Sequence, residues 1–158
     1  MRVLLVDDHP LFLDGLRNLL SARGIEVLGR AHDGLEALEQ ARRLAPDLVL
    51  MDIHMPRCDG VTATRLIVAE RPEVRVVMLT MSADDEDLFA AIQSGACGYL
   101  LKTDETDVFF GLLMGAAAGE VVLSPGLASK LLRALAGRGP AAGPGGAGPA
   151  SALTPRQM

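Results

Sequence analysis

The sequence predicts an α/β fold, one parallel sheet with helices on both faces, and three observations predict it. Strand and helix patterns alternate five times along the chain. The stretches Val3–Val6, Leu48–Met51 and Val74–Leu79 are almost continuously apolar, as strands covered on both faces must be. Two of them run into acids, Asp7-Asp8 and Asp52, and open α/β sheets place their sites beyond the carboxyl ends of their strands.

Each element has its own signal. After Val3-Leu4-Leu5-Val6, Pro10 suits a first helical position, and Phe12, Leu16, Leu19 and Leu20 recur at helical spacing until Gly24. Ile25–Ala31 alternates apolar and polar residues, the pattern of a half-exposed edge strand. Asp33 caps a helix carrying Leu35, Leu38, Ala41 and Leu44, closed by Pro46. Leu48-Val49-Leu50-Met51-Asp52 is a buried strand delivering one carboxylate to its end, and Pro56 blocks continuation. A loop to Gly60 and a helix from Val61 to Glu70 follow, then the apolar strand Val74–Thr80. Asp84-Asp85-Glu86-Asp87 opens the fourth helix, where acids complement the helix dipole and need no metal to explain them. Gly98-Tyr99-Leu100-Leu101-Lys102 is a short strand ending in a cation, and Val108, Phe109, Leu112, Leu113 and Ala116 share one face of the fifth helix. Right-handed crossovers make this a doubly wound, flavodoxin-like (βα)5 sheet of order 2-1-3-4-5. That order sets the first and third strands side by side and leaves the alternating second strand at the edge.

The pattern changes beyond residue 118. Residues 119–136 predict an extra helix carrying Leu127, Leu131, Leu132 and Leu135, with Ser124 and Pro125 as its cap and first turn. Residues 137–152 are almost all Gly, Ala and Pro, a flexible linker with nothing to bury. Residues 153–158, Leu-Thr-Pro-Arg-Gln-Met, look like the beginning of another helix, as expected of a truncated chain.

Bulk properties narrow the function. At 158 residues, 49% hydrophobic and 22% charged, the chain can bury one core, and with 3% aromatics that core must be aliphatic. The apolar run after Met1 is too short for a signal peptide or a membrane span. Cys58 and Cys97 have neither metal-ligand nor disulfide spacing, which suits a cytoplasmic protein. Residues 1–118 hold 11 basic and 19 acidic side chains, net −8, whereas 119–158 hold 4 and 1, net +3. The acidic part repels phosphate backbones, so nucleic-acid binding by residues 1–118 is not expected.

The strand ends carry the chemistry. Asp7, Asp8 and Asp52 would converge, and three like charges repel unless a cation sits among them. Their oxygens favour a hard ion, Mg2+ before Zn2+. With Thr80 and Lys102 they supply what phosphoryl transfer needs: a carboxylate nucleophile, a bridging cation, a hydroxyl donor and a fixed positive charge.

The pieces Val6-Asp7-Asp8-His9-Pro10, Met51-Asp52-Ile53-His54-Met55-Pro56 with Asp59-Gly60, Leu79-Thr80, and Gly98-Tyr99-Leu100-Leu101-Lys102 together resemble one family. Over about residues 1–136 the chain is similar to the receiver domain of bacterial two-component response regulators of the NarL/FixJ class. The resemblance implies that Asp52 accepts a phosphoryl group from a sensor histidine kinase. It implies Mg2+ held by Asp8, Asp52 and the His54 backbone carbonyl, with Asp7 acting through water. Thr80 and Lys102 would stabilise the phosphoryl group, and Thr80 and Tyr99 match the switch pair, the Tyr99 ring turning inward on phosphorylation. A phosphorylation-dependent homodimer is expected, as is DNA contact only through a C-terminal domain absent from this chain. Leu153-Thr154-Pro155-Arg156 resembles the start of the LuxR-type helix-turn-helix of that class. The chain would be a regulator with slow self-phosphorylation and dephosphorylation and no metabolic turnover. It departs from many receivers in having Thr103 instead of Pro after the lysine, where a cis bond would cost about 2.5–4 kcal/mol.

Other readings use the same residues. A zinc hydrolase would use His9 and His54, but His9 precedes a helix-starting proline and His54 lies in a loop. A phosphatase like the haloacid dehalogenases wants a second Asp two residues after its nucleophile, where this chain has His54. An interaction module that is never phosphorylated would not need Asp8, Asp52, Thr80 and Lys102 together.

Overall fold

In a computed structural model, which describes residues 1–55, 57–81 and 85–146, a six-stranded parallel sheet runs through the chain. In sequence the elements are β1 (Arg2–Val6), α1 (Pro10–Ala22), β2 (Glu26–Ala31), α2 (Gly34–Leu44), β3 (Leu48–Asp52) and α3 (Gly60–Glu70). Then come β4 (Arg75–Thr80), α4 (Asp85–Gln93), β5 (Gly98–Leu101), α5 (Thr106–Ala117), β6 (Val122–Leu123) and α6 (Pro125–Gly146). The strand order is β2-β1-β3-β4-β5-β6, so the predicted 2-1-3-4-5 sheet is present, extended by one strand. β6 pairs Val122 with Gly98 and Leu123 with Tyr99. Two residues are too few for periodicity to register.

The chain divides into two units, Met1–Ser124 and Pro125–Met158. The boundary falls six residues after the expected 118, because β6 adds to the sheet before the chain leaves it. In the second unit α6 is helical from Pro125 through Gly146, ten residues into the stretch expected to be a flexible linker. The remainder of that linker, and the 153–158 segment, lie outside the described residues.

The core is aliphatic, as the low aromatic content requires. Val3, Leu5, Leu48, Leu50, Val77, Leu79 and Leu100 of the strands meet Leu13, Leu16 and Leu20 of α1 and Phe109, Phe110 and Leu113 of α5. The helix faces differ in phase from the sequence reading. In α1 the buried set is Leu13, Leu16 and Leu20, with Leu19 exposed; in α2 it is Gly34, Ala37 and Ala41, with Leu35 exposed. In α5 Phe110 is buried and Val108 exposed. Small residues let α2 approach the sheet closely, so Ala37 and Ala41 take the inner positions. β2 is an edge strand, and Asp33 caps α2 by accepting from the Glu36 N–H at 2.9 Å, both as predicted. Asp59 does the same for α3, accepting from Thr62 N at 2.8 Å.

Candidate functional site

Register places the acids. In the β1–β3 pairing Val6 lies opposite Met51, so the next residues, Asp7 and Asp52, leave the sheet side by side. In the β3–β4 pairing Asp52 lies opposite Leu79, one residue before Thr80. Thr80 lies opposite Leu101, the last residue of β5, with Lys102 directly after it; the Lys102 N–H donates to the Thr80 carbonyl at 2.7 Å. Four successive strand ends thus deliver Asp7, Asp52, Thr80 and Lys102 to one end of the sheet.

Lys102 crosses this group almost fully buried, its side chain 4% exposed. Its Nζ donates to Asp7 Oδ2 at 2.5 Å and lies 3.7 Å from Asp52 Oδ2. It also sits 4.4 Å from the centre of the Phe12 ring. On the opposite side His9 closes over Asp7: its backbone N–H and its Nδ1 reach Asp7 Oδ1 at 2.9 and 2.8 Å. That hydrogen bond, with the charges of Asp7 and Asp8, holds the His9 imidazole above its usual pKa. Asp8 is the most open of the acids, its side chain 32% exposed. Even so its Oδ1 is buried and accepts no hydrogen bond, although His9 Nδ1 lies 3.1 Å away, directed at Asp7.

Asp52 is 5% exposed. Burial, and then the neighbouring Asp7 carboxylate, push its pKa up to about 6 against the pull of Lys102 and a backbone hydrogen bond from His54. One lysine therefore does not balance three carboxylates. Among the described residues Asp7, Asp8, His9 and Asp52 each offer a ligand atom, all within 4.8 Å of one another. The orphaned Asp8 oxygen and the under-compensated Asp52 fit a hard divalent cation such as Mg2+, which takes carboxylate oxygens and keeps several waters.

The loop behind Asp52 is braced by backbone. Gly60 N–H donates to the Ile53 carbonyl at 2.8 Å, and a Cβ on Gly60 would lie 2.1 Å from the Asp52 carbonyl oxygen. Further along, Arg57, at φ 66°, pairs with the buried Asp33 carboxylate, and Gly34 N–H donates to the Cys58 carbonyl at 2.9 Å. No peptide is cis among the described residues, so Lys102–Thr103 is trans and Thr103 meets no cis requirement.

All the residues expected to carry the site are placed. Asp7, Asp8, Asp52, Thr80 and Lys102 converge, while the His54 side chain is exposed and its backbone N–H serves Asp52. Tyr99 is 1% exposed, its ring inside the fold. Ser124, the residue before α6 as expected, accepts from Leu101 N–H at 2.9 Å and donates to the Asp104 carboxylate, tying β6 to the loop that carries Lys102. Phe12, taken for a core residue, borders the lysine. No sequence signal links Phe12 to Lys102 or Asp33 to Arg57, because these contacts join distant positions.

Comparison with known proteins agrees with this geometry. The family model described as response regulator receiver domain matches residues 3–110. The chain is 39% identical over 133 residues to the transcriptional regulatory protein LnrK of Bacillus subtilis, covering 84% of this chain and 60% of that protein. It is 39% identical over 134 residues to the nitrate/nitrite response regulator protein NarL of Escherichia coli, covering 84% and 62%. The chain thus spans about 60% of the length of the curated relatives it matches. Among solved structures, a LuxR-family two-component response regulator from Aurantimonas superposes with TM-score 0.82 at 32% identity, covering 85% of this chain and 97% of that one. The signal receiver domain of NarL from Mycobacterium tuberculosis gives 0.72 at 33%, covering 75% and 97%. With a matching family model over most of its length, and the acids, hydroxyl and lysine at adjoining strand ends, this chain belongs to the response regulator receiver domain family, its relatives being two-component regulators of the NarL and LuxR type.

Proposed function

We propose that this chain takes a phosphoryl group on Asp52 from a sensor histidine kinase and uses it to control an attached DNA-binding domain. The observation that carries the reading is the buried Asp52 carboxylate, 5% exposed and 3.7 Å from Lys102 Nζ, at the centre of the converging strand ends. A carboxylate oxygen of Asp52 bonds to phosphorus as the bond from phosphorus to the donor's imidazole nitrogen breaks, and that electron pair leaves with the donor. Bound by Asp8, Asp52 and the His54 carbonyl, with Asp7 through water, Mg2+ would neutralise charge on the transferring oxygens. Lys102 holds one side of the phosphoryl group and the Thr80 hydroxyl donates to the other. The chemistry is a slow single turnover, so the protein is a switch in the cytoplasm and not a metabolic enzyme.

The readout runs from Thr80 through Tyr99 to the face of α4, β5 and α5, and favours a homodimer. The buried Tyr99 ring, 1% exposed, is the inward position that phosphorylation would favour. Moving such an equilibrium from 1:99 to 99:1 takes about 5.5 kcal/mol. One charge-assisted hydrogen bond contributes only about 1.5–3 kcal/mol, so Lys102 and the metal must act with Thr80. DNA contact would come from a domain beyond the residues present here.

Acetyl phosphate with Mg2+ should add one phosphoryl group, seen by intact mass, and Asp52→Asn should abolish it. Undiminished labelling of that variant would remove Asp52 as the acceptor. Thr80→Ala should still be labelled yet lose most of the amide shifts around Tyr99.

A further inference from the structure

Lys102 has two acidic claimants and does not sit between them evenly. Its Nζ is 2.5 Å from Asp7 and 3.7 Å from Asp52, yet the phosphoryl group it must serve would grow on Asp52. Its third side is taken by an aromatic ring. Phe12, on the first turn of α1, presents its ring 4.4 Å from Nζ, well inside the range in which an ammonium is attracted to an aromatic face. With its side chain only 4% exposed, Lys102 has little water to compete with that attraction. A ring face differs from a carboxylate in one useful respect. It holds the cation without a fixed hydrogen-bond direction, so Nζ can shift from Asp7 toward Asp52 and stay attracted throughout.

We propose that Phe12 is a positioning residue for phosphoryl transfer, its ring face holding Lys102 within reach of Asp52 and letting it change partners as the phosphoryl group arrives. The inference rests on the proposed role of Lys102, and it deepens that role. Phe12 is only partly buried and also borders a cavity of about 310 Å³ with Leu11, Gly15 and Phe109, so its aliphatic replacement need not empty the core. The alternative is that Phe12 is simply a core residue that happens to lie against the lysine stem.

The test has a spectroscopic arm and a kinetic arm, both on the full chain. In the first, the Lys102 ε-methylene protons of the unphosphorylated protein should be shielded by the ring, the shift lost in Phe12→Leu and kept in Phe12→Tyr. In the second, phosphorylation by acetyl phosphate at saturating Mg2+ should slow by roughly tenfold in Phe12→Leu and recover in Phe12→Tyr. Site-specific 3,4,5-trifluorophenylalanine at position 12 covers the case in which Phe12→Leu fails to fold. It nearly conserves shape while draining the ring face of negative charge, and should slow the reaction as the Leu variant does. Unshifted ε protons in the wild type would overturn the contact. Wild-type rates in the trifluoro protein would overturn the positioning role and leave a packing residue. A wild type that takes no phosphoryl group would defeat the proposed function, while the shielding would still report on the contact alone.

Discussion

Asp52→Asn should stabilise the metal-free fold at neutral pH, although it removes the residue on which the proposed function depends. The folded carboxyl titrates near 6 in place of 3.8, chiefly because it is buried and next because Asp7 is beside it. The unfolded chain releases this proton near pH 4 and the folded chain only near pH 6. Ionisation therefore costs the fold stability as the pH rises between those values, and the penalty is constant above them. About two units at 1.36 kcal/mol each is roughly 3 kcal/mol, and screening from the open side of the site brings it to about 2 kcal/mol. Asparagine mimics the protonated acid and removes that penalty. In EDTA at pH 8 the variant should melt about 6–10 °C above wild type by calorimetry, and the gap should close below pH 4. Mg2+ should stabilise the wild type by about 2.7 kcal/mol at a hundredfold excess over its dissociation constant, raising its melting temperature, and stabilise the variant far less. A variant less stable than wild type at pH 8, or an equal gain at pH 4 and pH 8, would refute the electrostatic account of this site.

Three further outcomes follow from the same geometry. Lys102→Met leaves the Asp7 carboxylate, 1% exposed, without its cation, and urea unfolding in EDTA should show a loss of about 3–5 kcal/mol, partly restored by Mg2+. Gly60→Ala puts a methyl 2.1 Å from the Asp52 carbonyl oxygen, backbone that cannot step aside, and should cost at least about 2–3 kcal/mol by the same assay. Burial raises the pKa of both Cys58 and Cys97, so neither thiol should be alkylated appreciably by iodoacetamide at pH 7.5 in the native protein, as read by mass. Rapid modification of either would contradict its raised pKa.

The strands that place the site were legible because each writes its environment directly into the sequence. β3 is apolar on both faces and ends in an acid, and only a two-sided core explains that pattern. Asp33 announced itself in the same way, as an acid just before a helical run, whereas the cap at Asp59 emerged only from the structure. Helix phase was less legible: leucines drew α2 toward Leu35 and Leu38, whereas the sheet accepts only the small Ala37 and Ala41. β6 was hidden by its length, and the tie from Ser124 to Leu101 and Asp104 by its span along the chain. The electrostatic detail was least accessible. Lys102 and Asp7 are 95 positions apart, and no periodicity could say that the lysine favours Asp7, that His9 covers that acid, or that Phe12 faces the ammonium.

The two margins of the sheet bear on how copies of this protein can meet. A long, flat, unpaired margin would template another chain and allow growth without limit. Here one margin is β2, whose pairing with β1 slips register between Val3 and Leu4 and which carries Glu26 and Arg30. The other is β6, only two residues long. Neither margin offers a stranger a run of hydrogen bonds worth joining. Contact between copies, where it occurs, is therefore left to side chains away from the strand edges, and open-ended growth by strand addition is discouraged.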